Sequence, residues 1–287
     1  MTVTVAANAK INLHLDVIGK RESGYHDVVS VMQSVSLYDT LTVTRETEMG
    51  ISLDTGGALP ADDSNLIVRA AKCYFAASGA PFGVNVILEK RIPMAAGMGG
   101  GSADAAAMLK ALNELDGNRY TVQELAGMGA AIGADVPFCV QGGTCLCEGV
   151  GEILTPVLNN ISATVVVAMG GEGVSTPAAF GALDRLFDGY KNFDGAVSPK
   201  SLIRALEAGN VGDAAAALFN RFEAVIEPLR PAVARIKRTM LQSGALAAQM
   251  SGSGPSVFGI FEDEQSASRA VEALQNEGVR AFVCKMI

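Results

Sequence analysis

What the chain lacks narrows its function before any motif is considered. Its longest apolar runs, such as Val165-Val166-Val167-Ala168-Met169, fall far short of the roughly 20 residues that a membrane-spanning helix needs. The start, Met1-Thr2-Val3-Thr4-Val5, has no basic segment and reads as a strand. No secretory leader is expected, and the expected location is the cytosol. Five cysteines, Cys73, Cys139, Cys145, Cys147 and Cys284, are odd in number, lie in apolar stretches and form no CxxC pair. They read as reduced core residues, which excludes a disulfide frame or a cysteine zinc site. Basic residues are in deficit, 22 against 30 acidic, for a net charge of −8. That argues against nucleic acid or an anionic membrane surface as partner and leaves small-molecule chemistry. An anionic substrate then needs locally placed cations and backbone N–H groups.

What is present is apolar material and glycine. The 287 residues are 49% hydrophobic and 18% charged, enough for a sizeable core and against disorder. Length favours two domains. Residues 10–18 alternate, with Ile11, Leu13, Leu15 and Val17 on one face and Lys10, Asn12, His14 and Asp16 on the other, as a strand requires. Lys10 and Asn12 are thus neighbours on one polar surface. Further strands are expected near 28–37, 40–46 and 83–90, with helices over about 65–77, 102–115, 121–132, 176–186 and 264–277. Short strands are expected over 133–155. Strands in both halves with helices between them give an α+β chain divided near 155–163.

The most informative stretch is Pro93-Met94-Ala95-Ala96-Gly97-Met98-Gly99-Gly100-Gly101-Ser102-Ala103, which joins an alternating strand (Val84, Val86, Leu88) to an alanine-rich helix. Glycines let successive N–H groups approach an anion, and a helix start adds unpaired N–H groups and the positive end of its dipole. The same residues also fit a plain strand-to-helix turn with Ser102 as N-cap. No lysine follows the glycines, so this is not a Walker A loop. Pro93 and Ser102 spoil a dinucleotide fingerprint, and the HRD and DFG motifs of protein kinases are missing.

Three ordered motifs, Ala9-Lys10-Ile11-Asn12-Leu13, the stretch 93–107 and Gly252-Ser253-Gly254-Pro255, resemble those of the GHMP kinase superfamily. Within it, Gly19-Lys20-Arg21-Glu22-Ser23-Gly24-Tyr25-His26, the glycine loop through Asp104 and Ala107, Asn65-Leu66-Ile67-Val68-Arg69-Ala70-Ala71, Gly133-Ala134-Asp135-Val136-Pro137 and Glu148-Gly149-Val150-Gly151-Glu152 are similar to members that phosphorylate a cytidine-diphosphate-linked polyol of the non-mevalonate isoprenoid route. The resemblance runs nearly end to end. It implies a ribosomal-protein-S5-like domain over 1–158 and a ferredoxin-like domain over 159–287. It also implies phosphoryl transfer from ATP with Mg²⁺.

The resemblance further implies residue roles. Lys10 and Asp135 match the catalytic pair. The loop 93–103 takes the ATP phosphates, and Asn65, Leu66 and Lys90 the adenosine end; Mg²⁺ is held largely by phosphate oxygens and water, with Ser102 a candidate contact only. Asn12, Tyr25, His26, Thr176 and Phe180 match the acceptor site, Tyr25 and Phe180 being its stacking rings. His14 is expected to be a partly satisfied strand residue. Each role has a plainer alternative: Lys10 a solvated edge-strand lysine, Asp135 a turn aspartate, Phe180 a core residue of its helix and 251–255 a strand-leading turn. Other acceptors within the superfamily, homoserine or mevalonate, need no cytosine pocket, and a non-catalytic nucleotide binder needs no Lys10 and Asp135. Two departures stand out. Ala103 occupies the place of a second hydroxyl residue, and Ser23 that of an aspartate before Gly24-Tyr25-His26.

Overall fold

The computed structural model describes residues 1–191 and 193–287. Contacts divide the chain into two units, Met1–Ala9 with Leu37–Met94 and Gly99–Gly142, and Lys10–Ser36 with Ala95–Met98 and Gly143–Ile287. The boundary expected between residues 158 and 159 falls inside the second unit. The units interleave in sequence because two long strands, β1 (Thr2–Lys20) and β2 (His26–Glu46), each run through both. The two strands expected at 28–37 and 40–46 are therefore one.

In the first unit β2 pairs antiparallel with β4 (Gly83–Glu89), placing Val43 opposite Val86 and Leu41 opposite Leu88, and β3 (Ile51–Asp54) joins β4 in parallel. Val84, Val86 and Leu88 are buried while Ile87 and Glu89 are exposed, the period-two pattern of a sheet with one covered face. Four helices belong to this unit: α1 (Leu66–Ser78), α2 (Gly100–Leu115), α3 (Val122–Ala130) and α4 (Val136–Gln141). The start of α1 is fixed by Asn65, whose side chain accepts from Ile67 N, and its end by Gly79 in the left-handed region. Thr121 and Glu124 form a reciprocal capping box on α3. Alanines let α2 pack closely on both α1 and α4. Where short strands were expected over 133–155, α4 comes first; only β5 (Thr144–Glu148) and β6 (Ile153–Pro156) follow. Pro137 in the first turn supplies a φ suited to a helix start.

The second unit contains a sheet ordered β11-β7-β10-β9, from β7 (Thr164–Ala168), β9 (Ala247–Met250), β10 (Val257–Phe261) and β11 (Ala281–Lys285). Between these strands lie α5 (Thr176–Leu186), α6 (Lys200–Ala208), α7 (Val211–Ala216), α8 (Glu223–Ile226), α9 (Pro231–Gln242) and α10 (Glu264–Asn276). Its core joins Leu15 and Val17 to Val166, Phe222, Ile236, Phe261 and Leu274. A short β8 (Phe219–Asn220) pairs in parallel with His14 and Leu15 of β1. From residue 9 to residue 17 β1 is buried throughout, and its polar row Lys10, Asn12, His14 and Asp16 is as buried as its apolar one.

Candidate active site

In the second unit, burial forces the polar row of β1 to satisfy itself. Lys10 is only 4% exposed, which removes the solvated edge-strand alternative, and its ammonium donates to Asn12 Oδ1 at 2.7 Å. Asn12 Nδ2 donates to Ser30 Oγ at 2.9 Å, and Ser30 Oγ donates to His14 O at 2.7 Å. An amide whose oxygen and nitrogen are both engaged has a fixed orientation, so Asn12 holds the Lys10 side chain in place.

The same stretch of strand anchors part of the glycine-rich loop. Lys10 N donates to Met98 O at 3.0 Å, Ser251 Oγ donates to Gly97 O at 3.1 Å and accepts from Asn12 N at 3.3 Å, and Ser256 N donates to Ala96 O at 3.2 Å. Gly97 lies at φ +76°, and a Cβ there would run into the carbonyl of Ser251. Only glycine meets both conditions. The 251–255 segment thus does more than lead into β10: it clamps residues 96–98 against β1.

Further along, His26 Nε2 is 2.7 Å from Asp184 Oδ1, and Lys20 Nζ donates to Asp184 Oδ2 at 2.5 Å. Burial would raise the Asp184 carboxyl, but hydrogen bonds from Lys20 and His26 outweigh it and hold the group below the usual carboxylate range. The Phe180 ring stacks on His26 at 4.5 Å between centroids, 18° from parallel, and meets Phe222 edge-on at 4.9 Å. Tyr25 is 67% exposed. Thr176 Oγ1 lies 3.0 Å from Ser253 Oγ. Tyr25, His26, Thr176 and Phe180 therefore all belong to this unit, one ring open to solvent and the other packed on the imidazole.

His14 departs from expectation. It is fully buried beside Phe219, with neither ring nitrogen hydrogen-bonded among the described residues. Alternation identifies its face but not that the Phe219 ring lies against it. Burial lowers its pKa, against a smaller raising effect of Asp16. Asp16 itself is paired with Arg221, Nε to Oδ1 at 2.7 Å.

In the first unit, α2 begins at Gly100, two residues before the expected start. Its N-cap is Gly99 at φ +67°, and no side chain caps it. Ser102 is therefore a first-turn helix residue and not an N-cap. The first-turn N–H groups lack side-chain acceptors, the condition under which a helix start takes an anion. Leu66 borders this turn, since a Cβ on Gly101 would stand 3.4 Å from Leu66 Cδ1. Asn65 is committed at both ends of its amide, to Ile67 N and to Pro60 O. Lys90 Nζ reaches Asp39 Oδ2 at 2.5 Å and Asp104 Oδ2 at 2.8 Å. Asp135, half-buried, sits at the head of α4 without capping it. The preceding Gly133 faces Ser102, whose Oγ would lie 4.0 Å from a Cβ there. Sequence reasoning missed Asp39 and Asp184. The available signal for Asp39 was a carboxylate on the strand face otherwise made of Val35, Leu37, Leu41 and Val43.

Comparison with known proteins gives the family of the chain. The pattern of the GHMP kinases N terminal domain matches residues 65–143, and that of the GHMP kinases C terminal domain residues 202–280. The chain is 39% identical over 287 residues to the 4-diphosphocytidyl-2-C-methyl-D-erythritol kinase of Acetivibrio thermocellus, covering 100% of this chain and 99% of the relative. It is 42% identical over 273 residues to the enzyme of that name from Pelotomaculum thermopropionicum, covering 93% and 92%. A crystal structure of 4-(cytidine 5'-diphospho)-2C-methyl-D-erythritol kinase superposes with a TM-score of 0.84 at 34% identity, over 99% of each chain. The chain belongs to the GHMP kinases, in the same family as these relatives.

Proposed function

We propose that this GHMP kinase transfers the γ-phosphoryl group of ATP to the 2-hydroxyl of 4-diphosphocytidyl-2-C-methyl-D-erythritol, giving the 2-phosphate and ADP in the cytoplasm, as a step of non-mevalonate isoprenoid synthesis. The observation that carries this reading is end-to-end identity near 40% with relatives named 4-diphosphocytidyl-2-C-methyl-D-erythritol kinase; the buried Lys10–Asn12 pair supports it.

Phosphoryl transfer through a loose transition state asks mainly for positioning and charge stabilisation. The 2-hydroxyl oxygen bonds to the γ-phosphorus, the bond from phosphorus to the β,γ-bridging oxygen breaks, and ADP leaves. Asp135 orients the hydroxyl and takes its proton late. Lys10, locked by Asn12, offsets charge on the transferring group. The ATP phosphates lie on residues 93–103, with N–H groups of the uncapped α2 start supplying donors, and the adenosine end runs toward Asn65 and Leu66; the Lys90 ammonium, which the resemblance also assigns to that end, is held by Asp39 and Asp104. Tyr25, His26, Thr176 and Phe180 recognise the cytidine diphosphate end.

Among the described residues no group of three His, Cys, Asp or Glu side chains could hold a metal. Mg²⁺, a hard ion that keeps its waters and arrives on phosphate oxygens, would accompany ATP, and the Ser102 hydroxyl would be its protein contact. When bound it neutralises phosphate charge. The test is the product: ³¹P NMR after incubation with ATP and the proposed acceptor should show ADP and a new phosphate monoester coupled to C2. ATP left intact, or a phosphate on another oxygen, overturns the proposal.

A further inference from the structure

One buried cluster in the first unit is not used by the chemistry above. The last residues of β4 lead into the glycine-rich loop, and here the Asp39 carboxylate, from the middle of β2, accepts through Oδ1 from Arg91 N at 2.5 Å and from Ile92 N at 2.8 Å. Those are the two residues immediately before Pro93. Its other oxygen holds Lys90 Nζ at 2.5 Å, and the same ammonium reaches Asp104 Oδ2 at 2.8 Å, in the helix that follows the glycines. Gly100, the first residue of that helix, closes over the arrangement: a Cβ there would stand 3.0 Å from both Lys90 Nζ and Ile92 Cγ2.

Two carboxylates therefore share one ammonium, with side chains 0%, 2% and 10% exposed for Asp39, Asp104 and Lys90. Such a cluster is a poor source of net stability, because desolvation of three charges cancels most of the attraction. Asp104 Oδ1 even lacks a hydrogen-bond partner among the described residues. Burial pushes Asp104 up to about 7, against the opposing pull of Lys90. What the cluster does supply is geometry. One ammonium ties the strand end entering the loop to the helix leaving it, and the Asp39 carboxylate fixes the direction of the two peptide N–H groups at the entry.

We infer that Asp39, Lys90 and Asp104 form a staple that sets the spacing of the two ends of the glycine-rich loop and thereby its affinity for ATP. They act as positioning residues, Lys90 working through its two carboxylates and not through contact with the nucleotide. The inference rests on the reading that this loop holds ATP.

Calorimetric titration of ATP into wild type, Lys90→Met, Asp39→Asn and the double variant tests it. Asparagine preserves the acceptor for Arg91 N and Ile92 N but turns an N–H₂ toward Lys90. Asp39→Asn should therefore break the staple without touching ATP. Each single variant should raise the ATP Kd at least about tenfold, since small displacements of a binding frame are costly. The double variant should be no more than about threefold worse than the worse single one, because the residues act as a unit. In Asp39→Asn, binding of the alcohol substrate and kcat at saturating ATP should stay within about threefold of wild type, a split that general loss of structure would not give.

A loss confined to Lys90→Met, or additive losses, would make Lys90 a direct nucleotide contact and overturn the staple. Should Lys90→Met fail to fold, Asp104→Leu, which leaves Lys90 and Asp39 as a balanced pair, carries the same expectation, and unchanged ATP affinity in it overturns the inference. Wild-type protein that binds no ATP would instead remove the underlying reading of the loop, and the staple with it.

Discussion

The Lys10 ammonium donates to Asn12 Oδ1 at 2.7 Å inside a strand whose two faces are both buried. Two residues apart, they project to the same side, and the engaged Asn12 amide leaves Lys10 a single orientation. A charge fixed in this way is pre-organised and costs little to align when negative charge develops near it.

Lys10→Met and Asp135→Asn should each lower kcat by roughly a hundredfold or more, the scale of general-base and electrostatic groups. Neither should change ATP affinity much, because both act on the acceptor and the developing charge. Steady-state kinetics with calorimetric ATP binding checks this. Near-wild-type turnover in either variant would remove that residue from the chemistry.

For acceptor recognition the telling ring is Phe180. It stacks on His26, which is itself held by Asp184. Phe180→Ala should cost about 1–3 kcal/mol of cytidine-substrate binding, the scale of one base–aromatic stack. KM for that substrate then rises roughly fivefold to a hundredfold with ATP affinity unchanged. An unaltered KM in a folded variant would leave Phe180 as a core residue only.

His14 makes stability depend on pH. Burial lowers its pKa in the folded chain, so an unfolded chain binds a proton where the folded one does not. Its stabilising contribution is complete above the ordinary imidazole value of about 6.5 and is lost as pH falls below it toward the folded value. Urea unfolding between about pH 5.5 and 7.5 should show this slope in wild type and a flatter one in His14→Phe, which keeps the ring beside Phe219. Identical slopes would contradict it.

The parts of the site most legible in the sequence were those defined by short-range pattern. The glycine loop lies between an alternating strand and an alanine-rich helix, and Lys10 and Asn12 follow from period two. The rest depends on partners remote in sequence. Nothing local to Lys90 points to Asp39, 51 positions away, or local to His26 to Asp184, 158 positions away. The six-residue α4 is too short to display a helical period. Alternation in β1 separates a polar from an apolar face, but β8, only two residues long, gives no sign that it will pair there and bring Phe219 beside His14.

The central claim, that this kinase is built for a cytidine-diphosphate-linked polyol, is tested most directly by ADP release in a coupled assay with 4-diphosphocytidyl-2-C-methyl-D-erythritol, homoserine and mevalonate in parallel. A site that hydrogen-bonds and stacks a cytosine discriminates strongly against acceptors that lack one. The predicted result is a kcat/KM for the cytidine substrate at least about a thousandfold above either of the others. Comparable values for homoserine or mevalonate, or no ADP release with the cytidine substrate, would contradict it.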